Sequence, residues 1–260
     1  MWFKITVIIL LIGVIFMAHG QPDYGMYSLA KTIYHMTDMG ELAARLGSIC
    51  TFDRRGDVVF LDDFESGLGS WQKIAGGTGS DAVISADNAR NGFLSCKMTT
   101  GSDGTKLIRL ARYLPLPVYS AFGVEFSVAI SPFAITGYLT GDILVYDGVN
   151  VNKFMIKYDL ADQNLYMYDS AGAWVDMAMP YELQRYTYLF HTIKLVGDFS
   201  TDRWKRVIVD NFTVDLSGYA VYTAASAGNP MMEVNIILHT DDDANRYVYL
   251  DDFIITQNEP

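Results

Sequence analysis

Carboxylates are the most readable chemical groups in this chain, and the most prominent come as adjacent pairs. Asp62-Asp63 lies within Val59-Phe60-Leu61-Asp62-Asp63-Phe64, and Asp251-Asp252 within Val248-Tyr249-Leu250-Asp251-Asp252-Phe253, a near copy at the far end of the chain. Such groups can hold a hard cation, move protons during glycosidic cleavage, or accept backbone hydrogen bonds at strand ends. Cleavage requires two carboxyls facing one bond. Neighbouring residues on a strand point to opposite faces, so neither pair meets that requirement alone. Glu125 stands by itself in Gly123-Val124-Glu125-Phe126-Ser127, no Gly-x-Ser-x-Gly elbow occurs, and His191 and His239 fall in strand-like segments. These residues argue against an enzyme.

Aromatic residues offer a second kind of chemistry: the chain carries 17 Tyr, 14 Phe and 4 Trp. A pyranose ring packs its C–H groups on an aromatic face while its hydroxyls seek directional partners. Tyrosines are dense from Tyr158 to Tyr188, and Trp174 follows the Ala171-Gly172 turn, where its ring can face outward. Trp174, Tyr166 and Tyr168 are the ligand-binding candidates, although Tyr and Phe are also ordinary strand residues. Two cysteines, Cys50 and Cys96, have no Cys-x-x-Cys spacing for zinc or redox work. They read either as one disulfide or as two small buried apolar side chains.

The elements that must position these groups are strands. Segments with strand character recur at Val58–Phe64, Ala82–Ala86, Phe93–Thr99, Lys106–Tyr113, Phe122–Ile130, Asp142–Tyr146 and Lys153–Tyr158. They continue at Leu165–Tyr168, Trp174–Met177, Phe190–Val196, Trp204–Val209, Phe212–Leu216, Met232–Leu238 and Arg246–Thr256. Turn pairs such as Asn91-Gly92, Asp103-Gly104, Asp147-Gly148 and Asp210-Asn211 fill the gaps, and no long helical period interrupts them. The fold class is therefore all-β, a two-sheet antiparallel sandwich over residues 57–260. The two acidic phrases read as adjacent strands of one sheet, bringing the ends of the sandwich together.

Ahead of it, residues 21–56 read as a short helical segment. Ser28 caps a first turn, Asp38 and Glu41 form a capping box, and Gly47 supplies a stop. Residues 1–20 read as a signal peptide or short hydrophobic anchor, with Lys4, an apolar run from Ile5 to Met17 and Ala18-His19-Gly20. The run is shorter than the roughly 20 residues a spanning helix needs, so membrane contact is expected only transiently, through this segment. Export makes the protein secreted or surface-associated, and it permits the disulfide. A formal charge of -11 and pI near 4.7 oppose a polyanion partner, so no nucleic acid is expected.

Two stretches resemble known jelly-roll domains. Asp63-Phe64-Glu65-Ser66-Gly67-Leu68-Gly69-Ser70-Trp71 resembles the opening phrase of secreted carbohydrate-binding modules. Phe190 to Asp198, followed by Trp204 and by Val207 to Phe212, is similar to the hairpin of concanavalin A-like and laminin-G-like domains. The resemblance implies a jelly-roll sandwich in which Trp71 and Trp204 fill the core. It also implies a structural Ca2+ where the first and last strands approach, held by Asp63, Glu65 and Asp252; the alternative is that these carboxylates cap strand ends. Glycosidases of the concanavalin-like fold carry a Glu-x-Asp-x-x-Glu run, and none occurs here.

Three functions remain open on these readings. One is a secreted non-catalytic lectin-like module binding glycan or cell-surface polysaccharide. Another is a structural subunit of an extracellular or viral assembly, such as a virion or surface fibre, whose partners are other subunits. A third is an unusual glycan-processing enzyme.

Overall fold

A computed structural model of the chain describes residues 56–115, 119–132, 136–180 and 182–260. The expected signal segment, the expected helical segment of residues 21–56 up to residue 55, and Cys50 lie outside the described residues. Cys96 is fully buried.

The described chain forms strands β1 (Asp57–Asp62), β2 (Gln72–Gly76), β3 (Asp81–Ser85), β4 (Ser95–Thr99), β5 (Leu107–Pro115), β6 (Ala121–Ile130), β7 (Gly137–Tyr146) and β8 (Asn150–Asp159). The second half contributes β9 (Leu165–Tyr168), β10 (Trp174–Asp176), β11 (Phe190–Asp198), β12 (Arg203–Val209), β13 (Phe212–Asp215), β14 (Tyr222–Ala225), β15 (Met231–Thr240) and β16 (Tyr247–Gln257). One sheet, here the closing sheet, runs β13-β12-β11-β6-β16-β4-β3, with β1 also on β16. The other, here the ladder sheet, runs β10-β9-β8-β7-β15-β5-β2, with β14 on β8. Every pairing is antiparallel, and no helix occurs among the described residues.

β1 and β16 do lie side by side, with Asp57 opposite Gln257 and Asp62 opposite Phe253. β16 divides one edge between two partners: Tyr247–Leu250 pairs with β4, and the remainder pairs with β1. The changeover is a bulge after Asp251, where Asp252 takes a left-handed φ of 46°. A short polar side chain tolerates that conformation better than a β-branched one. β2 and β14 escaped the sequence reading because Gln72-Lys73-Ile74-Ala75-Gly76 and Tyr222-Thr223-Ala224-Ala225 each contain a single large apolar side chain. Both run along neighbours whose pairing supplies what their own pattern lacks.

The core lies between the sheets. Gly141 on β7 is needed because a Cβ there would come 2.8 Å from the Phe126 ring of β6, and Gly197 on β11 likewise leaves room for Phe154 of β8. Phe154 packs edge-on to Trp204 at 5.4 Å and to Phe199 at 5.0 Å. At the other end Trp71 meets Phe253 edge-on at 4.7 Å, and its indole N–H donates to Asp62 at 2.8 Å. Both tryptophans fill the core as the resemblance implied.

Candidate functional site

Alternation on the ladder sheet assigns each side chain a face. On β7, Leu139, Gly141, Ile143 and Val145 turn inward, so Tyr138, Thr140, Asp142, Leu144 and Tyr146 turn outward. The same rule puts Glu233, Asn235 and His239 of β15 outside, between inward Met232, Val234, Ile236 and Leu238, and puts Arg109 and Tyr113 of β5 outside. Register then builds the outer face as rows. Asp142 sits between Met155 and Asn235, Glu233 between Leu144 and Tyr113, and Thr140 between Lys157 and Ile237.

At the centre of this face lies a polar floor. Arg109 Nε donates to Asn235 Oδ1 at 2.8 Å, and its guanidinium forms an ion pair with Glu233. Tyr146 donates its hydroxyl to Glu233 at 3.5 Å. Beside them Asp142 is only 3% exposed, and its Oδ1 and the neighbouring Thr140 hydroxyl are shut off from solvent. Burial, assisted by the charge of Glu233 and opposed first by the Thr140 hydroxyl and then by Arg109 and Lys153, pushes the Asp142 carboxyl up to about 7.

This shift fixes the sign of a pH effect. A carboxyl whose folded pKa lies above its unfolded value of 3.8 is protonated more readily in the native state, so stability falls as pH rises through the window from about 4 to about 7. Replacing Asp142 with Asn should flatten that decline, leaving the variant more stable than the wild type near pH 8. Urea unfolding of both proteins across the window checks this; an unchanged slope would contradict it.

Flanking the floor is an aromatic strip. Leu165 and Met167 of β9 point inward, turning Tyr166 and Tyr168 outward. Trp174 on β10 pairs with Tyr168, their rings 5.0 Å apart, and Tyr222 of β14 approaches Tyr168 at 5.2 Å. Lys157 lies 4.6 Å from the Tyr166 ring centre and 5.4 Å from that of Trp174, while Lys153 lies 5.4 Å from Tyr222. The three aromatic candidates thus come together on one surface, all half-buried. Reading the sequence missed Tyr222 and the floor of Arg109, Asp142, Glu233 and Asn235. The available signal was a polar residue set between apolar ones in strands long enough to be central.

The acidic corner is built differently. Asp63 and Asp252 approach closely enough for their charges to interact, but Arg90 forms an ion pair with Asp252 at 3.3 Å. Glu65 Oε1 accepts from the backbone of Phe93 and Leu94 at 2.6 and 2.8 Å, and Asp63 Oδ1 from the backbone of Glu65 at 3.2 Å. Calcium wants six to eight oxygens free to turn toward it. As arranged, these three carboxylates do not fit that shell, since a guanidinium and loop N–H groups already hold them. Among the described residues, no group of three or more His, Cys, Asp or Glu side chains is placed to hold a metal ion. His191 is also committed, its ring nitrogens contacting Asp210 at 2.7 Å and the Gln184 carbonyl at 3.0 Å.

No protein-family model and no curated protein sequence matches the chain. Solved structures do. A cellulose-induced protein, Cip1, is 17% identical with a TM-score of 0.54 over 76% of this chain and 96% of its own. An endo-β-1,4-glucuronan lyase from the fungus Trichoderma reesei is 12% identical with a TM-score of 0.54, covering 77% and 95%. A carbohydrate esterase from a Shiga toxin-encoding bacteriophage is 14% identical with a TM-score of 0.50, covering 79% and 100%. The chain has the jelly-roll sandwich fold. At such identities the likeness extends to the fold and no further.

Proposed function

We propose that this jelly-roll sandwich is an exported protein that binds glycan on the outer face of its ladder sheet. The observation that carries the reading is the aromatic strip of Trp174, Tyr168 and Tyr222 beside the polar floor, whose Arg109 is partly exposed. Rings offer stacking surface to a pyranose, and the Arg109 guanidinium offers directional partners for its hydroxyls. The lyase and esterase among the similar structures act on glycans by name, which supports the same reading. Export rests on the sequence of residues 1–20.

A catalytic version of this reading has one observation in its favour. Asp142 and Glu233 bring two carboxyls to one face of adjacent strands, and burial raises Asp142 to about 7. A carboxyl that keeps its proton near neutrality is what a proton donor requires. Release of new reducing ends from any polysaccharide, lost in Asp142→Asn, would select it.

Affinity electrophoresis through gels containing soluble polysaccharides tests binding. At least one polymer should retard the wild type, and Trp174→Ala should weaken that interaction by about 2 kcal/mol, roughly thirtyfold in Kd. Mobility unaffected by every polymer would refute the proposal.

A further inference from the structure

We infer that the outer face of the closing sheet is an internal docking surface, and that its occupant is this chain's own segment of residues 21–55.

Alternation fixes which side chains that face carries. On β6, Phe122, Val124, Phe126 and Val128 turn into the core, so Gly123, Glu125, Ser127 and Ala129 turn outward. The same rule turns Thr192, Lys194 and Val196 of β11, Ile208 of β12 and Ile254 of β16 outward. An antiparallel sheet with one face on the core commonly leaves the other in water. This one does not. Val196, Ala129 and Ser127 are fully buried, Lys194 is 2% exposed and Glu125 4%, yet every described strand belongs to one of the two sheets and none lies over this face. Ile208 and Ile254 are also buried, although they lie outside the core cluster between the sheets.

Described residues cover the two margins. Arg90 stands over the row of Asp251, Ser127 and Thr192, donating through its guanidinium to Ser127 at 2.5 Å and through its backbone to Asp251 at 2.8 Å. Glu259 folds back over the row of Gly123 and Val196, forming ion pairs with Lys194 at 2.6 Å and Arg206 at 2.7 Å. Between these margins runs the row Ile254, Glu125, Lys194 and Ile208, which crosses four strands in register. Burying that row takes a further layer.

Residues 21–55 are placed and patterned to be that layer. The described chain begins at Gly56, where a Cβ would come 2.8 Å from the Glu259 carboxylate, so residue 55 already stands at the rim of the face. In sequence, the capping box of Asp38 and Glu41 and the stop at Gly47 mark a helix about 15 Å long. The strands β12-β11-β6-β16 measure about 14 Å from first axis to last. Leu42 and Leu46, one turn apart, give such a helix an apolar side for Ile208 and Ile254, while Glu41 and Arg45 bring both charge signs to a face that carries Glu125 and Lys194. The apolar run of residues 5–17 has no charge and would leave those two groups against hydrocarbon, which is costly. Stretches 116–118, 133–135 and 181, also outside the described residues, are too short to cover four strands. The burial arises within a single chain, so a second copy does not supply it.

The experiment places a nitroxide on Ala44→Cys in the full chain with Cys50→Ser. Cys96 does not compete for the label, since it is buried and burial pushes its thiol far above the usual range. The nitroxide should broaden the methyl signals of Ile208 and Ile254 and leave sharp that of Ile237, which turns outward on the ladder sheet. Broadening of all three alike, or of none, would overturn the inference. Trypsin gives a second readout: cleavage after Lys31 and Arg45 should be at least tenfold faster in Ile208→Asp, whose carboxylate weakens the contact, than in the wild type. Equal rates would overturn the inference as well, and the nitroxide result decides it if Ile208→Asp does not fold.

Discussion

Arg109→Ala should lower the free energy of unfolding by about 3–5 kcal/mol, the usual penalty for leaving a buried charge without its partner. The charge left behind is Glu233, 4% exposed on a central strand, and Asn235 loses its donor in the same step. Replacing Arg109 with Met and Glu233 with Leu together should recover most of the loss, because an apolar pair removes both desolvation costs at once. The double variant then separates stability from function: it should fold cooperatively and still bind glycan poorly, since the polar floor is gone. Urea unfolding with a binding titration reads both. A single variant as stable as the wild type would show that the ion pair does not hold β5 to β15.

Trp204→Ala should cost a similar amount, about 3–5 kcal/mol, as expected for a large aromatic removed from a core that cannot collapse around it. Trp204 is fully buried, packs edge-on to Phe154, and its indole N–H donates to the Tyr168 carbonyl at 3.1 Å. That hydrogen bond reaches from the closing sheet to the strand that carries the aromatic strip. The deletion should therefore weaken glycan binding even in molecules that remain folded. Trp204→Phe keeps most of the volume and loses only the hydrogen bond, so it should cost closer to 1 kcal/mol. Equal losses for the two variants would assign the effect to the hydrogen bond rather than to packing.

How much could be read from the sequence follows from what each feature depends on. The pairing of β1 with β16 was legible because the two phrases nearly repeat, each with three apolar or aromatic residues, an acidic pair and a Phe. The grouping of Trp174 with Tyr166 and Tyr168 was legible because a short turn joins the two strands. The polar floor was not. Arg109 meets Glu233 only because β15 lies between β7 and β5, and nothing in either strand's own residues states that order. The acidic corner was legible as a meeting of carboxylates, yet Arg90 sits in a loop with no periodic pattern, so its hold on Asp252 could not be foreseen.

Glycan contact at the aromatic strip is tested most directly by the indole N–H signals of the tryptophans in a 15N-labelled chain, with Trp174 assigned through Trp174→Phe. Trp71 serves as an internal reference, since its N–H is bonded to Asp62 in the core. On titration with the tightest-binding polysaccharide, the Trp174 signal should move saturably while that of Trp71 stays in place. Saturable binding that leaves Trp174 unmoved would contradict glycan binding on this face.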